Sequence, residues 1–364
     1  MKRAGATKFF EEQENNLVRC LACRNYCVIS EGKYGVCGAR KNILGKLVLL
    51  TNNKPCSAHL DPIEKKPLYH YLPGTKTMSF GFYGCNFHCD FCQNYDISTC
   101  KGQGLENSIK ELRTLTAQQA ITLAKEAGAK SVAITYNEPA ISIEWDKDLF
   151  NLAKKGFAPK KETAKKEAKT KKTKEKLGTV FVSNGYSSKE SIRALKGKLD
   201  AINIDLKSFN ENFYRNTCGG SLEKVLECIK DYRKIGVWVE LTTLIIPGKN
   251  NSFEELDTLT KWIAKVDKEI PWHVLAFHPM HKMLDVPATN ELEIRNAIGI
   301  GLENGLKYIY GGNIEGNEFS HTYCSKCGEK LIDRTNYVGV KLGLKISKGV
   351  GKCIKCGQKV KGFF

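Results

Sequence analysis

Three cysteines in a short segment constrain this chain more than any other feature. Cys85, Cys89 and Cys92 have the spacing C-x3-C-x2-C and follow an apolar run, residues 78–83, that is typical of a strand end. Three thiolates at this spacing can converge on one iron–sulfur cluster, in which each iron normally takes one protein ligand. Three ligands on a four-iron cluster leave one iron open to a non-protein molecule, like the open position of a catalytic zinc. A zinc knuckle or three unrelated thiols are the alternatives.

A second group of cysteines lies near the N-terminus. Cys20, Cys23, Cys27 and Cys37 form C-x2-C-x3-C-x9-C in a glycine-containing segment. Four thiolates so close in sequence suit a closed tetrahedral metal site. Zinc is the default expectation because it needs no redox partner, and an auxiliary iron–sulfur cluster is the alternative, since spacing does not choose the metal.

A third group closes the chain in two C-x2-C pairs, each followed by glycine. This arrangement predicts a zinc ribbon, a small domain held by one metal ion, although such ribbons also serve in nucleic-acid binding. The four expected ligands are Cys324, Cys327, Cys353 and Cys356.

Length, charge and cysteine content narrow the class of protein. The 364 residues suffice for one large α/β domain with small appendages, and the N-terminus lacks a signal-peptide apolar segment. With no apolar run of transmembrane length, the expectation is a cytoplasmic protein with no membrane partner. Fifteen cysteines in such a chain indicate metal sites rather than disulfides.

The net charge of +18 would favour nucleic acid as a binding partner, and the sequence leaves that question open. Nine lysines and three glutamates fall between Lys160 and Lys176. This run, within an expected insertion over residues 156–177, lacks the aromatic and arginine pattern of nucleic-acid readers and is interpreted as an exposed, flexible or transiently helical segment.

From residue 78 onward, apolar strand patterns alternate with amphipathic helical patterns. This alternation predicts a parallel sheet of six or seven strands, with functional groups at the strand ends. The expected strands are Thr77–Phe82, Ser131–Tyr136, Thr179–Ser183, Ala201–Asp205, Val237–Ile246, His273–Phe277 and Lys307–Tyr310; the expected helices cover 116–127, 142–155, 188–196, 221–235, 253–268 and 289–304. We expect three units: a cysteine-rich segment (1–72), the core (73–320) and the ribbon (321–364).

The cysteine trio resembles the signature of the radical S-adenosylmethionine (SAM) superfamily, C-x3-C-x-aromatic-C, with Phe91 as the aromatic residue. The resemblance implies a partial (β/α)6 barrel with a 4Fe–4S cluster on Cys85, Cys89 and Cys92. It also implies that SAM binds the open iron and that no catalytic residue is needed beyond the cluster ligands.

Polar residues at the strand ends extend the resemblance to pyruvate formate-lyase activating enzymes. Residues 136–139 match a Gly-Gly-Glu-Pro-like motif at Glu138 and Pro139 but replace both glycines. Residues 183–185 resemble Thr-Asn-Gly, and residues 205–207 match Asp-Leu-Lys. The cofactor-binding residues that this implies are Phe91, Asn137, Glu138, Asn184, Asp205, Lys207 and His278.

The cysteine-rich ends and residues 310–313 make the chain similar to radical SAM proteins of the AmmeMemoRadiSam system. The resemblance implies hydrogen abstraction from a substrate, such as a glycyl residue of a partner protein, with ferredoxin or flavodoxin as electron donor. The same chemistry on RNA or a small molecule is one alternative, and a non-catalytic metal-binding nucleic-acid module is another.

Overall fold

The computed structural model describes residues 7–156, 175–314, 318–347 and 349–364. Most of the expected lysine-rich insertion, residues 157–174, therefore lies outside the described residues. No helix within these ranges is both long and apolar enough to cross a bilayer.

The N-terminal segment forms two small antiparallel sheets that carry the first cysteine group. One contains three strands and the other is a two-stranded hairpin. Their strands are β1 (Phe10–Glu12), β2 (Val18–Cys20), β3 (Val28–Ile29), β4 (Arg40–Ile43) and β5 (Lys46–Leu49).

An eight-stranded sheet forms the centre of the molecule. Its first strand is antiparallel to the second, and the following seven strands run parallel in chain order. The strands are β6 (Ser57–Pro62), β7 (Lys76–Gly81), β8 (Ser131–Ile134), β9 (Gly178–Ser183), β10 (Ala201–Asp205), β11 (Trp238–Ile245), β12 (Trp272–Ala276) and β13 (Ile309–Gly312). Within the described ranges β6 and β13 do not pair, so the sheet remains open. This confirms the predicted α/β class and partial barrel.

Helices connect the parallel strands, and most begin at a side chain that caps them. Thr116 and Gln119 form a capping box at one helix, as do Asn290 and Glu293 at another, which satisfies amide groups left free at a helix start. The helices are α1 (Tyr95–Ser98), α2 (Gly102–Glu111), α3 (Ala117–Glu126), α4 (Ile143–Lys155), α5 (Lys189–Leu195), α6 (Glu211–Phe213), α7 (Leu222–Lys234), α8 (Phe253–Asp267) and α9 (Glu291–Glu303).

The C-terminal segment folds into two three-stranded antiparallel sheets around the last four cysteines. It packs against the core through Arg334, whose guanidinium lies 4.0 Å from the centre of the Tyr69 ring and donates to the Tyr69 carbonyl at 2.8 Å. The strands are β14 (Thr322–Tyr323), β15 (Lys330–Asp333), β16 (Val340–Lys341), β17 (Leu344–Ser347), β18 (Val350–Cys353) and β19 (Lys359–Val360).

Every predicted parallel strand and helix has a counterpart, with ends shifted by a few residues. The strands were recognisable because they are buried on both faces: all four residues of β8 are buried, as are the first four of β10. Parallel order brings the segments that follow β7 to β12 to the same edge of the sheet, where ligands bind in such folds.

Candidate radical SAM site

The cysteine trio lies in the loop that follows β7. Cys85 is buried and Cys89 and Cys92 are half-buried. Burial raises the pKa of the Cys85 thiol, and charges on Cys89 and Cys92 raise it further, so the three sulfurs lie within each other's electrostatic reach. Such buried thiols resist ionisation on their own. A bound metal cation that contacts all three sulfurs would stabilise their thiolate forms together.

The loop is held against a π-helical turn, Tyr214–Cys218. The His88 amide donates to the Cys218 carbonyl at 2.9 Å, and the Asp90 amide donates to the Thr217 carbonyl at 3.0 Å. A Cβ on Gly220 would lie 2.3 Å from the Phe87 ring, so only glycine allows this close approach. π-helical turns are frequent at functional sites, and this one positions the cluster loop.

Cys218 also approaches the trio directly. Its thiol is within hydrogen-bonding reach of Cys89, an interaction that, with burial, raises the pKa of Cys89. Nothing in the sequence pattern singled out Cys218, because it lies 126 residues beyond the last cysteine of the motif; only the fold brings it to the site.

Phe91, the aromatic residue of the motif, is buried beside the loop. Its ring lies 5.9 Å from that of Phe213, and the Lys207 ammonium lies 5.5 Å from the Phe91 ring centre. Phe91 therefore lines the space between the cluster loop and the end of β10.

Asp205, the last residue of β10, and Lys207, two residues later, form an ion pair of 2.8 Å. The Lys207 side chain is only 12% exposed. Although burial alone would lower the pKa of Lys207, the charges of Asp205, Cys89 and Cys218 raise it well above its ordinary value. A charged ammonium therefore lies close to Cys89 just after β10, and its low exposure is unlike that of a solvated surface pair.

Glu138 joins the ends of β8 and β9. Its carboxyl group accepts hydrogen bonds from the Asn184 amide at 2.8 Å, from the Ala140 amide at 3.0 Å and from the Ser183 hydroxyl at 2.9 and 3.0 Å. Burial raises the pKa of Glu138 to about 7 despite these bonds. The side chain is thus held rigidly, and its protonation changes near neutrality.

Asn137 and Tyr136 occupy the two positions where the related motif has glycines. Tyr136 adopts φ = +74°, a conformation that glycine adopts readily, and its hydroxyl donates to Asp61 at 2.8 Å. Asn137 donates to the carbonyls of Phe82 and Gly84, both at 2.7 Å. The chain keeps a glycine-like backbone here, and Asn137 holds the segment leading into the trio.

Asn184 reaches back to the cluster loop, where its amide group donates to Asn86 Oδ1 at 2.8 Å. Asn86 follows Cys85 directly and was not singled out from the sequence, although it lies inside the motif. Among the described residues, Asn86 Nδ2 and Asn184 Oδ1 are buried and have no partner. Such atoms beside the trio fit a polar ligand that would satisfy them.

His278 is exposed after β12, so it lies at the same edge of the sheet but outside the packed site. His273, by contrast, is buried at the other end of β12 and contacts Glu240 at 2.8 Å. The role of His278 in cofactor binding stays a prediction.

The C-terminal cysteines form a separate metal-binding group. Cys324 and Cys356 sulfurs are 3.6 Å apart, and those of Cys327 and Cys353 are 3.7 Å apart. Burial opposes ionisation of Cys324, yet amide hydrogen bonds from Lys326 and Cys327 help to lower its pKa to about 7. These four residues are therefore arranged to bind one metal ion.

Comparison with known proteins agrees with this geometry. Residues 80–263 match the radical SAM superfamily. The chain belongs to the radical SAM superfamily.

Three curated proteins are similar to this chain over different shares of its length. An uncharacterized protein of Methanocaldococcus jannaschii is 35% identical over 353 residues and matches along 97% of both chains. A putative glycyl-radical enzyme activating enzyme of the same organism is 27% identical, over 62% of this chain and 76% of its own. GTP 3′,8-cyclase of Peptoclostridium acidaminophilum is 30% identical, over 54% of this chain and 53% of its own.

Solved structures are similar over part of the fold. A domain of pyruvate-formate lyase-activating enzyme from Bacteroides vulgatus has a TM-score of 0.38 at 14% identity and covers 51% of this chain and 100% of its own. SuiB of Streptococcus suis bound to S-adenosylmethionine has a TM-score of 0.46 at 12% identity and covers 70% of this chain and 53% of its own. The family match over residues 80–263 and the similarity to a putative activating enzyme confirm the predicted resemblance to the superfamily and to activating enzymes.

Proposed function

We propose that this protein is a radical SAM enzyme that acts on a hydrogen-bearing group of a partner protein, in the manner of an activating enzyme. The observation that carries the proposal is the convergence of the cysteine trio, the Lys207–Asp205 pair and Glu138 at one sheet edge. When bound, the cluster and SAM supply reductive cleavage of the sulfonium to methionine and a 5′-deoxyadenosyl radical, which abstracts hydrogen from the substrate.

The protein's own residues would bind and orient SAM and exclude water. Cys85, Cys89 and Cys92 would hold the four-iron cluster. The Lys207 ammonium is suited to pair with the SAM carboxylate, and the partly exposed Asp205 oxygen is suited to accept from a ribose hydroxyl or an amine. Both charges stand at the sheet edge in a fixed ion pair, so little reorganisation is needed on binding.

Burial around the site serves the same chemistry. Phe87, Phe91 and Tyr214 are all buried beside the loop, and the Tyr214 hydroxyl oxygen accepts a hydrogen bond from the Lys207 amide at 2.9 Å. A reactive carbon radical abstracts hydrogen from any nearby donor, so an apolar, water-poor wall limits side reactions.

The choice of a protein substrate rests on the relative described as a putative glycyl-radical enzyme activating enzyme. A small-molecule substrate is the second candidate, supported by the similarity to GTP 3′,8-cyclase. Zinc is proposed at the ribbon, because its sulfur spacing is close to the ~3.8 Å expected for tetrahedral zinc with bonds of about 2.3 Å.

The test is anaerobic reconstitution with iron and sulfide, followed by reduction in the presence of SAM. We expect broad iron–sulfur absorbance and release of 5′-deoxyadenosine. Cys85→Ala is expected to abolish that release with the fold retained, whereas Cys100→Ala, a control outside the motifs, is expected to retain it. A full cluster without any cleavage product would overturn the proposal.

The substrate class follows from a second measurement. A deuterium-labelled partner protein that co-purifies anaerobically should transfer deuterium to 5′-deoxyadenosine. Transfer from a labelled nucleotide, with none from protein, would replace the first candidate by the second.

A further inference from the structure

The four N-terminal cysteines line a single cavity. The sequence suggested a shared site only because these cysteines lie close together along the chain. The β2–β3 hairpin brings two of them together, as the Cys20 amide donates to the Cys27 carbonyl at 2.9 Å. The cavity is lined by residues that include Cys20, Cys23, Cys27, Cys37, Arg40 and Ile141.

The spacing of the sulfurs separates this site from the ribbon. In the part of the chain that the structure describes, the ribbon cysteines are the only group of three or more potential ligands whose atoms all lie within 4.8 Å of one another. In every set of three N-terminal sulfurs, at least one pair is therefore more than 4.8 Å apart. The same holds for the three sulfurs of Cys85, Cys89 and Cys92. One zinc ion requires sulfurs ~3.8 Å apart. Thiolates that bind different irons of a cluster stand farther apart.

A buried cation lines the same cavity and has an unused donor. Arg40 is 1% exposed and donates to both Glu144 oxygens, at 2.9 and 2.6 Å, and to the Ile141 carbonyl at 3.0 Å. Its Nε group is buried and has no partner among the described residues. Thiolate and sulfide sulfurs accept hydrogen bonds, so a negatively charged cluster in the cavity would satisfy this donor.

We propose that Cys20, Cys23, Cys27 and Cys37 bind a second iron–sulfur cluster, which transfers single electrons to the cluster held by Cys85, Cys89 and Cys92. Four protein ligands leave no open iron, which suits electron transfer rather than substrate binding. The sequence pattern favoured zinc at this site; the sulfur spacing favours iron. The electron-transfer role rests on the proposed function, whereas the metal assignment does not.

The two sites are adjacent through the residues that flank Cys85. Asn25, on the cavity wall, donates to the Asn86 carbonyl at 3.2 Å. A Cβ on Gly84, which has φ = +91°, would lie 2.4 Å from the Cys37 carbonyl oxygen. Each N-terminal neighbour thus contacts a residue next to Cys85, and only glycine at position 84 allows that packing.

The redox balance is simple. A low-potential one-electron donor is oxidised, the second cluster accepts its electron, and the electron then reduces the cluster on the trio. No bond forms or breaks and no proton moves in this transfer. Cys27, the half-buried member of the four, is the ligand nearest to solvent and would face the donor.

Metal analysis of anaerobically reconstituted full-length protein tests the metal assignment. The wild type should contain about eight irons per chain, and the triple variant Cys85→Ala/Cys89→Ala/Cys92→Ala about four. After dithionite reduction, this variant should still give an electron paramagnetic resonance signal of a reduced cluster that SAM does not perturb. Zinc at the ribbon serves as the internal measure of folded protein, and Cys100→Ala is the matched control.

A triple variant that contains no iron, with two zinc ions per chain, would overturn the inference while leaving the proposed function intact if the wild type cleaves SAM. A wild type with about eight irons and no 5′-deoxyadenosine would instead overturn the proposed function and leave the second cluster standing.

The electron-transfer role has its own variant. Cys20→Ala/Cys37→Ala should lose about four irons but retain the trio cluster. It should cleave SAM when dithionite supplies electrons and lose cleavage when a reduced flavodoxin supplies them. Equal loss with both reductants, at unchanged trio iron, would exclude electron transfer as the role.

Discussion

Individual residues at the site act through charge held in a poorly solvated environment. Lys207 and Asp205 face the trio as a partly buried ion pair, and Glu138 is a fully buried carboxyl whose lone pairs are taken by groups of the next strand end. In such surroundings, removal of one partner leaves the other unpaired, which costs more than the bond itself contributes. Single substitutions here should therefore have measurable effects.

Lys207→Met is expected to weaken SAM binding by about tenfold or more, because it removes a cation and leaves Asp205 unpaired. Iron content should stay unchanged, since Lys207 is not a ligand. Anaerobic calorimetric titration with SAM measures the effect. Lys261→Met is the matched control, because Lys261 forms a 2.7 Å pair with Asp257 on an exposed helix face. Unchanged affinity in Lys207→Met would contradict the role assigned to it.

Glu138→Gln is expected to change how stability depends on pH. The folded-state pKa of Glu138, about 7, lies above its unfolded value of about 4.3, so its contribution to stability is present below the unfolded pKa and is lost as the pH rises through 7. The difference in unfolding free energy between wild type and variant should therefore fall as the pH rises from about 4.5 to 7, by up to ~3 kcal/mol. Chemical unfolding across this range measures it. A difference independent of pH would show that Glu138 does not titrate there.

At the scale of elements, the strand ends are tied to one another by side chains from neighbouring loops. Asn137 binds the segment after β7, Glu138 binds the end of β9, and Asn184 returns to the cluster loop. Tyr136 is part of the same set of contacts. Its backbone has the glycine-like φ, its carbonyl accepts a hydrogen bond from Asn94 at 2.8 Å, and its hydroxyl donates one to Asp61. The loop geometry is therefore built from bonds between elements rather than within them.

Tyr136→Phe should lower the unfolding free energy by about 1 kcal/mol, because the hydroxyl bond to Asp61 is lost in a partly buried place. SAM affinity should also fall, since the Asp61 anchor holds Tyr136 next to Asn137, which binds the segment leading into the trio. Tyr323→Phe, at an exposed ring, is the control and should change neither quantity. Thermal unfolding and SAM titration check both. If the two variants behaved alike, the Asp61 anchor would not support the loop.

For the whole molecule, hydrogen bonds join the C-terminal segment to the core. The Phe363 amide donates to the His70 carbonyl at 2.7 Å, and the His70 ring contacts the Tyr310 hydroxyl at 2.6 Å and the Lys361 carbonyl at 2.8 Å. Glu240 on β11 accepts from the amides of Tyr69 and His70, at 2.9 and 2.8 Å. A buried polar network thus connects the amino-terminal ends of the core strands to the C-terminal segment.

Cys353→Ser is expected to release the ribbon metal and to lower the unfolding midpoint of the whole chain, because loss of the metal loosens the segment that carries Arg334 and Phe363. The cluster iron should remain. Zinc analysis and chemical unfolding measure the two effects, with Cys100→Ala as control. Zinc retained at the wild-type level would contradict the assignment of these four cysteines as ligands.

The sequence by itself determined the features that depend on short spacing or regular period. The alternation of apolar strands and amphipathic helices, the trio and the paired C-x2-C units each lie within a local window, and they led to the fold class and the superfamily. Asp205 and Lys207 were also recognisable, because Asp205 ends a buried strand and Lys207 follows shortly after it.

Only the tertiary structure decided which distant residues meet. Cys218 approaches Cys89 across more than a hundred residues, Asn86 pairs with Asn184, and Arg40 lines the N-terminal cavity. The sulfur spacing at that cavity could not be read from cysteine spacing, because the loops between the ligands set the distances. Local physics specifies the elements, whereas distances between side chains depend on how those elements pack.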